Sequence, residues 1–152
     1  MFSRKLQRLS MIAALLWAGA CGSTSSPAAP TVTLPTGPAT LQMTDLVVGT
    51  GAEATSTSSV FINYTLWRYD PAGTDGKGLL IQTSVGGAPF PFTVGTAAVI
   101  TGISQGVIGM KVGGKRLLVI PPSLAYGATG TSDGAIRPNE WIVFEIELLS
   151  VA

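Results

Sequence analysis

Beyond residue 58 the chain is dominated by a two-residue hydrophobic period, and that period limits what it can fold into. In "WIVFEIELL" Ile142, Phe144, Ile146 and Leu148 share one face, while Glu145 and Glu147 take the other. In "VFINYTLWR" Val60, Ile62, Tyr64 and Leu66 alternate with Phe61, Asn63, Thr65 and Trp67. Successive strand side chains point to opposite sides, so these runs predict half-buried antiparallel strands. "RLLVIP" is a third apolar run, closed by Pro121 and Pro122, and "LQMTDLVV" and "FPFTV" are weaker strand candidates. "DPAGTDGKG", residues 70–78, is a loop of turn formers. One segment departs from the pattern. "TGISQGVIGMKVGG" offers Thr101 as an N-cap and sets Ile103 and Val107 four apart, which predicts a single short helix limited by Gly102, Gly106 and Gly109. About five strands and one helix make an α+β domain around one core. Charged residues at 11% argue against a coiled coil.

The first forty residues have another character. "MFSRKLQRLSMIAALLWAGAC" is a basic stretch, then an apolar run, then Ala18-Gly19-Ala20 before Cys21. The run is too short for an ordinary membrane span and fits a secretory signal peptide, residues 1–21. Small residues ahead of the only cysteine resemble a bacterial lipoprotein signal, in which Cys21 would be lipidated. The alternative is an ordinary signal peptide cut nearby, with Cys21 a stray thiol. Gly22 is not the aspartate that marks inner-membrane retention. The expected location is the cell envelope, as a lipoprotein facing the periplasm or otherwise as a periplasmic or secreted protein. Residues 22–40, rich in Pro, Ser and Thr, cannot bury enough apolar surface to order themselves. They are expected to form a disordered tether reaching roughly 25 Å by the random-coil rule. The folded domain is expected over residues 41–152.

Composition then removes several kinds of chemistry. Residues 22–152 carry six basic and eight acidic side chains, a net of −2, which argues against nucleic acid as partner. The chain has no histidine, so the commonest general base and transition-metal ligand is missing. One cysteine makes neither an internal disulfide nor a cysteine metal cage. What is left is a tyrosine in an odd place. Tyr126 sits in "IPPSLAYGATG", a loop too small-residued to bury it. Either it plugs the fold or it leans over a pocket with its hydroxyl inward.

"VIGMKVGGKRLLVIPPSLAYGATG" followed by "AIRPNEWIVFEIELLSV" resembles the C-terminal half of FKBP-type peptidyl-prolyl cis–trans isomerases. Upstream, "LQMTDLVVGTGAEA", "INYTLWRYD" and "PFPFTVGTAAVITGISQGV" resemble that family's earlier segments in the right order. The resemblance implies a five- to six-stranded antiparallel β-sheet wrapped around one short α-helix. It places a pocket between them, rimmed by the loops at Ala88–Phe90 and Gly127–Arg137. It implies catalysis carried by Tyr126 through its hydroxyl, Ile100 through its backbone N–H, Tyr64 and Phe90. It implies substrate binding by Ile81, Gln82, Val99, Ile103, Ile136 and Phe144, with no cofactor and no metal. Partners would be proline-containing segments of exported proteins, macrolides such as rapamycin held weakly, and a membrane reached through the lipid anchor.

The sequence departs from the family's pattern in three places. Ile103 stands where a tryptophan usually floors the pocket. Ile81 and Gln82 replace a Phe-Asp pair, and Thr131 stands where some members have histidine. The first two weaken the case for full activity. They leave open a second reading, a weakly active or inactive module of the envelope that binds proline peptides or acts as a chaperone.

Overall fold

The computed structural model describes residues 33–152. The expected signal peptide 1–21 with Cys21, and residues 22–32 of the expected tether, lie outside the described residues. Six strands and one helix follow: β1 (Gln42–Val47), β2 (Ser59–Tyr69), β3 (Lys77–Thr83), β4 (Phe90–Thr93), α1 (Thr101–Val107), β5 (Lys115–Ile120) and β6 (Ile142–Val151). All pairings are antiparallel. The sheet order is β1-β5-β6-β2-β3, and β4 also pairs with β2. This is the α+β architecture the alternation predicts, with six strands. Among the described residues no helix is long and apolar enough to cross a membrane.

The alternating rows do what their period requires. Val60, Ile62 and Leu66 of β2 and Ile142, Phe144, Ile146 and Leu148 of β6 are buried in one core with Leu118 and Ile120 of β5. Ile103 and Val107 of α1 meet them from the concave side. Glu145 and Glu147 point the other way and pair with Lys77 at 2.8 Å and Lys115 at 3.8 Å. Burying a large apolar side chain stabilises by about 1.5–3 kcal/mol, so these rows fix the strand register.

The helix glycines have a reason the sequence did not reveal. A Cβ on Gly102 would collide with the Ile120 side chain, and one on Gly106 with that of Leu118. Four residues apart, they share the face that lies on β5, and their bareness lets α1 approach the sheet closely. The cap differs from expectation. Ile100 occupies the N-cap position and Thr101 is the first helical residue, with no side-chain cap. The Ile100 carbonyl accepts from the N–H groups of Ile103 and Ser104 at 3.1 and 3.3 Å. At the other end Arg116 of β5 donates to the carbonyls of Gly106 and Ile108 at 2.9 and 3.1 Å and pairs with Asp45 of β1. A guanidinium there satisfies carbonyls that the helix itself cannot.

β3 was not anticipated. Its register against β2 slips twice, between Leu66 and Trp67 and again between Trp67 and Tyr69. Each slip breaks the two-residue period, so "KGLLIQT" does not read as a strand. The described part of the 22–40 segment holds no helix or strand. Its end lies on the domain: the Trp141 indole donates to the Pro38 carbonyl at 3.0 Å, and Gly37 lies close against the same ring.

Candidate active site

A cavity of about 850 Å³ opens between α1 and the concave face of the sheet. Its apolar wall is an aromatic cluster from three strands. Tyr64 on β2 meets Phe90 on β4 edge to face, with centroids 5.8 Å apart and planes at 85°. The same Tyr64 lies 5.7 Å from Phe144 on β6. Such contacts add about 0.5–1.5 kcal/mol beyond area burial and hold each ring in place. The Tyr64 backbone is locked by the start of the next loop. Its N–H donates to the Ser84 hydroxyl at 3.0 Å, and its carbonyl accepts from the Ser84 N–H at 2.9 Å and the Thr83 hydroxyl at 3.1 Å.

Opposite this wall stand Val99, Ile100 and Ile103 at the start of α1, and Tyr126 after the turn at Pro122–Leu124. Ile100 sits in extended conformation at the N-cap, and its own N–H donates to no protein group among the described residues. Burial pushes the Tyr126 hydroxyl above the usual phenol range, with the neighbouring Tyr64 and Asp133 adding to it. Burial alone raises Tyr64. Neither hydroxyl is tied to a protein partner among the described residues. The site therefore offers a neutral phenol O–H and an amide N–H as free donors in a cavity whose aromatic wall is apolar. Among the described residues no group of His, Cys, Asp and Glu is placed to hold a metal ion.

Of the ten pocket residues expected from the sequence, eight line this cavity: Tyr64, Gln82, Phe90, Val99, Ile100, Ile103, Tyr126 and Phe144. Ile81 and Ile136 do not. Ile81 falls at a register slip of β3 and packs half-buried against the core, so Leu66 supplies the apolar wall beside Gln82. Ile136 is fully buried because its loop is tied shut. Thr131 accepts the Ile136 N–H on its hydroxyl and donates its own N–H to the Ile136 carbonyl, both at 2.9 Å. Thr131 thus has a structural task where it departs from the family's pattern.

Sequence reasoning missed the device that holds this loop. Arg68, next after Tyr64 and Leu66 in the inward row of β2, donates to the Ala135 carbonyl at 2.7 and 3.1 Å. It also lies 3.6 Å from Glu140, which is only 4% exposed. Glu140 in turn accepts the Arg137 N–H at 2.7 Å and its guanidinium at 2.9 Å. A buried carboxylate is tolerated only when paired in this way. The signal was faint, since Arg68 and Glu140 are far apart in sequence. Missed as well were Leu66, which the β2 alternation did put on the cavity side, and the polar lining residues Ser56, Thr96, Ser104 and Gln105, which no pattern marked.

The titration behaviour yields an expectation. With both phenols raised, nothing lining the cavity changes charge between about pH 6 and about pH 9, so turnover or binding at this site should be flat across that range. The unfolded chain ionises these tyrosines more readily. Their contribution to stability is thus full below about pH 10 and is lost as pH rises through their folded values. A pH series of peptide exchange rates, paired with thermal melts, checks both halves.

Residues 51–149 match the family described as FKBP-type peptidyl-prolyl cis-trans isomerase. The chain is 42% identical over 123 residues to the chloroplastic peptidyl-prolyl cis-trans isomerase FKBP16-4 of Arabidopsis thaliana, covering 78% of this chain and 50% of that one. It is 38% identical to an FK506-binding protein of Streptomyces anulatus, covering 80% of this chain and 96% of that one. A crystal structure of a peptidyl-prolyl cis-trans isomerase from Pseudomonas syringae superposes with a TM-score of 0.60 at 34% identity, covering 74% of this chain and 75% of that one. The chain spans about half or less of the Arabidopsis relatives it matches. Sequence and fold agree in these likenesses, and the chain belongs to the FKBP-type peptidyl-prolyl cis-trans isomerase family.

Proposed function

We propose that the domain, residues 41–152, catalyses rotation about X–Pro bonds in exported polypeptides. Amide resonance sets a barrier of ~18–20 kcal/mol to this rotation. The twisted transition state has lost that resonance and carries a smaller dipole, so a dry apolar pocket favours it over the planar ground state. No proton transfer is required, which accords with a site built without histidine or a carboxylate pair. In this reading the prolyl ring enters between Tyr64, Phe90 and Phe144. The Ile100 N–H and the Tyr126 hydroxyl hold the flanking carbonyls while the amide turns. The single observation that carries the proposal is the pair of free donors facing an aromatic wall across one cavity. Export and lipidation at Cys21 rest on the sequence of residues 1–21, and a location facing the periplasm follows from them.

A second reading is favoured by one feature. Gln82 lines the cavity but is solvent-exposed, and the Tyr64 hydroxyl is left unpaired where the family's Asp would stand. With Ile103 as floor, the pocket then grips proline peptides or a macrolide without turning the bond quickly. NMR exchange of an Ala-Leu-Pro-Phe peptide, with and without the chain, separates the two. Faster cis–trans exchange supports the enzyme. Shifted peptide signals at an unchanged rate support the binding module. Tyr126→Phe should weaken peptide binding by about 3–10-fold, the worth of one hydrogen bond, and leave the melting temperature unchanged. Unfolding on this substitution would make Tyr126 a structural plug.

A further inference from the structure

The two register slips in β3 leave an apolar stripe that the cavity does not use. Consecutive residues Leu79 and Leu80 both face solvent, 63% and 53% exposed, and Val85 in the following turn is 61% exposed. A regular strand would have turned one of the two leucines inward. The stripe passes the cavity. Gln82, between Leu80 and Val85, is part of the cavity lining, as is Phe90 just beyond, itself 36% exposed. β3 stands at the end of the sheet order, so no described strand pairs with its outer side. From Leu79 to Val85 the stripe runs along the rest of β3 into the following turn, at most ~20 Å at ~3.3 Å per extended residue. The charge pattern restricts the occupant further. No charged residue stands between Lys77 and Lys111, so the stripe's own residues offer no counter-ion to a charged partner. Contiguous exposed apolar side chains of this kind mark contact surfaces.

We propose that the stripe of Leu79, Leu80 and Val85 docks an apolar, uncharged flank of an unfolded polypeptide whose proline occupies the cavity. The proposal rests on the isomerase reading and extends it from a peptide bond to a protein substrate. A tetrapeptide is too short to reach from the cavity along the stripe; an unfolded chain does so readily.

The test compares the chain with Leu79→Ser/Leu80→Ser/Val85→Ser on two substrates. One is the Ala-Leu-Pro-Phe peptide, and the other an unfolded ribonuclease whose refolding is limited by a prolyl isomerisation. The peptide's kcat/KM should stay within about twofold, while kcat/KM for the protein should fall about 5–20-fold, mostly through KM, as apolar contacts are lost. Met43→Ser/Val47→Ser on β1, at the opposite end of the sheet and comparably exposed, should change neither. Equal losses on both substrates, no loss on either, or an equal loss from the β1 variant would each overturn the proposal. If the parent chain accelerates neither substrate, the isomerase reading fails. Fluorescence titration with a labelled, permanently unfolded protein then decides the stripe alone, and unweakened binding by the triple variant overturns it.

Discussion

Phe144→Ala is expected to cost the domain about 3–5 kcal/mol and to slow peptide exchange at least tenfold. Phe144 lies on β6, a central strand, with Leu66 and Leu118 as its register partners on either side. It is buried in the core and lines the cavity at the same time. Truncation removes both the transfer free energy of the ring and its neighbours' packing, and the void joins a cavity that is already open. Tyr64, 5.7 Å away, loses a support that helps hold it against Phe90. Denaturant unfolding reads the first effect and NMR exchange the second. Phe144→Leu keeps the two apart. It should cost less than about 1.5 kcal/mol in stability, yet remove the aromatic contact that fixes Tyr64. A variant as active as the parent would show that the wall needs bulk and no ring.

Gly106→Val is expected to destabilise by about 1–3 kcal/mol through overpacking, and to impair the site from a distance. Two effects oppose each other at this position. Alanine in place of glycine inside a helix gains about 1 kcal/mol of propensity, which would favour substitution. The Cβ, however, meets the side chain of Leu118, which is fully buried and has no room to yield. With valine the propensity gain shrinks and the collision grows, so packing decides. Relief comes from lifting α1 off β5, and that carries Ile103 and the Ile100 N–H away from Tyr64 and Phe90. Chemical denaturation and peptide affinity should therefore fall together. A loss of stability with unchanged affinity would mean that the helix yields only at its C-terminal end.

These two positions show what the sequence displayed and what it hid. β2 and β6 were legible because their inward rows, Val60-Ile62-Tyr64-Leu66 and Ile142-Phe144-Ile146-Leu148, alternate over most of each strand, and β5 as an apolar run closed by two prolines. Tyr126 was legible for the opposite reason, a large residue in a loop with nothing of its own to cover it. β3 was hidden because two slips erase its period and leave leucines where polar residues would be expected. Ile81 lost its pocket place to Leu66 by the same slips. Ile136 looked like a rim residue; the Thr131 bonds within its own loop and the Arg68 bonds from β2, 67 residues away, hold it inward. Gly102 and Gly106 were read as limits on helix length. Their value in bringing helix and sheet together needs the opposing side chains of Leu118 and Ile120 to be seen.

The clasp between Trp141 and Pro38 bears on where a protease would meet this domain. Ahead of the first strand Leu34, Pro35, Gly37 and Pro38 are already half-buried, and Gly37 and Pro38 lie on the Trp141 indole. Cleavage needs an extended, freely bent substrate, and residues 37–38 are held on the tryptophan instead. Limited proteolysis is therefore expected to stop ahead of Gly37, at an edge drawn by a side chain from the far end of the chain, and a chain begun at β1 would leave Trp141 uncovered.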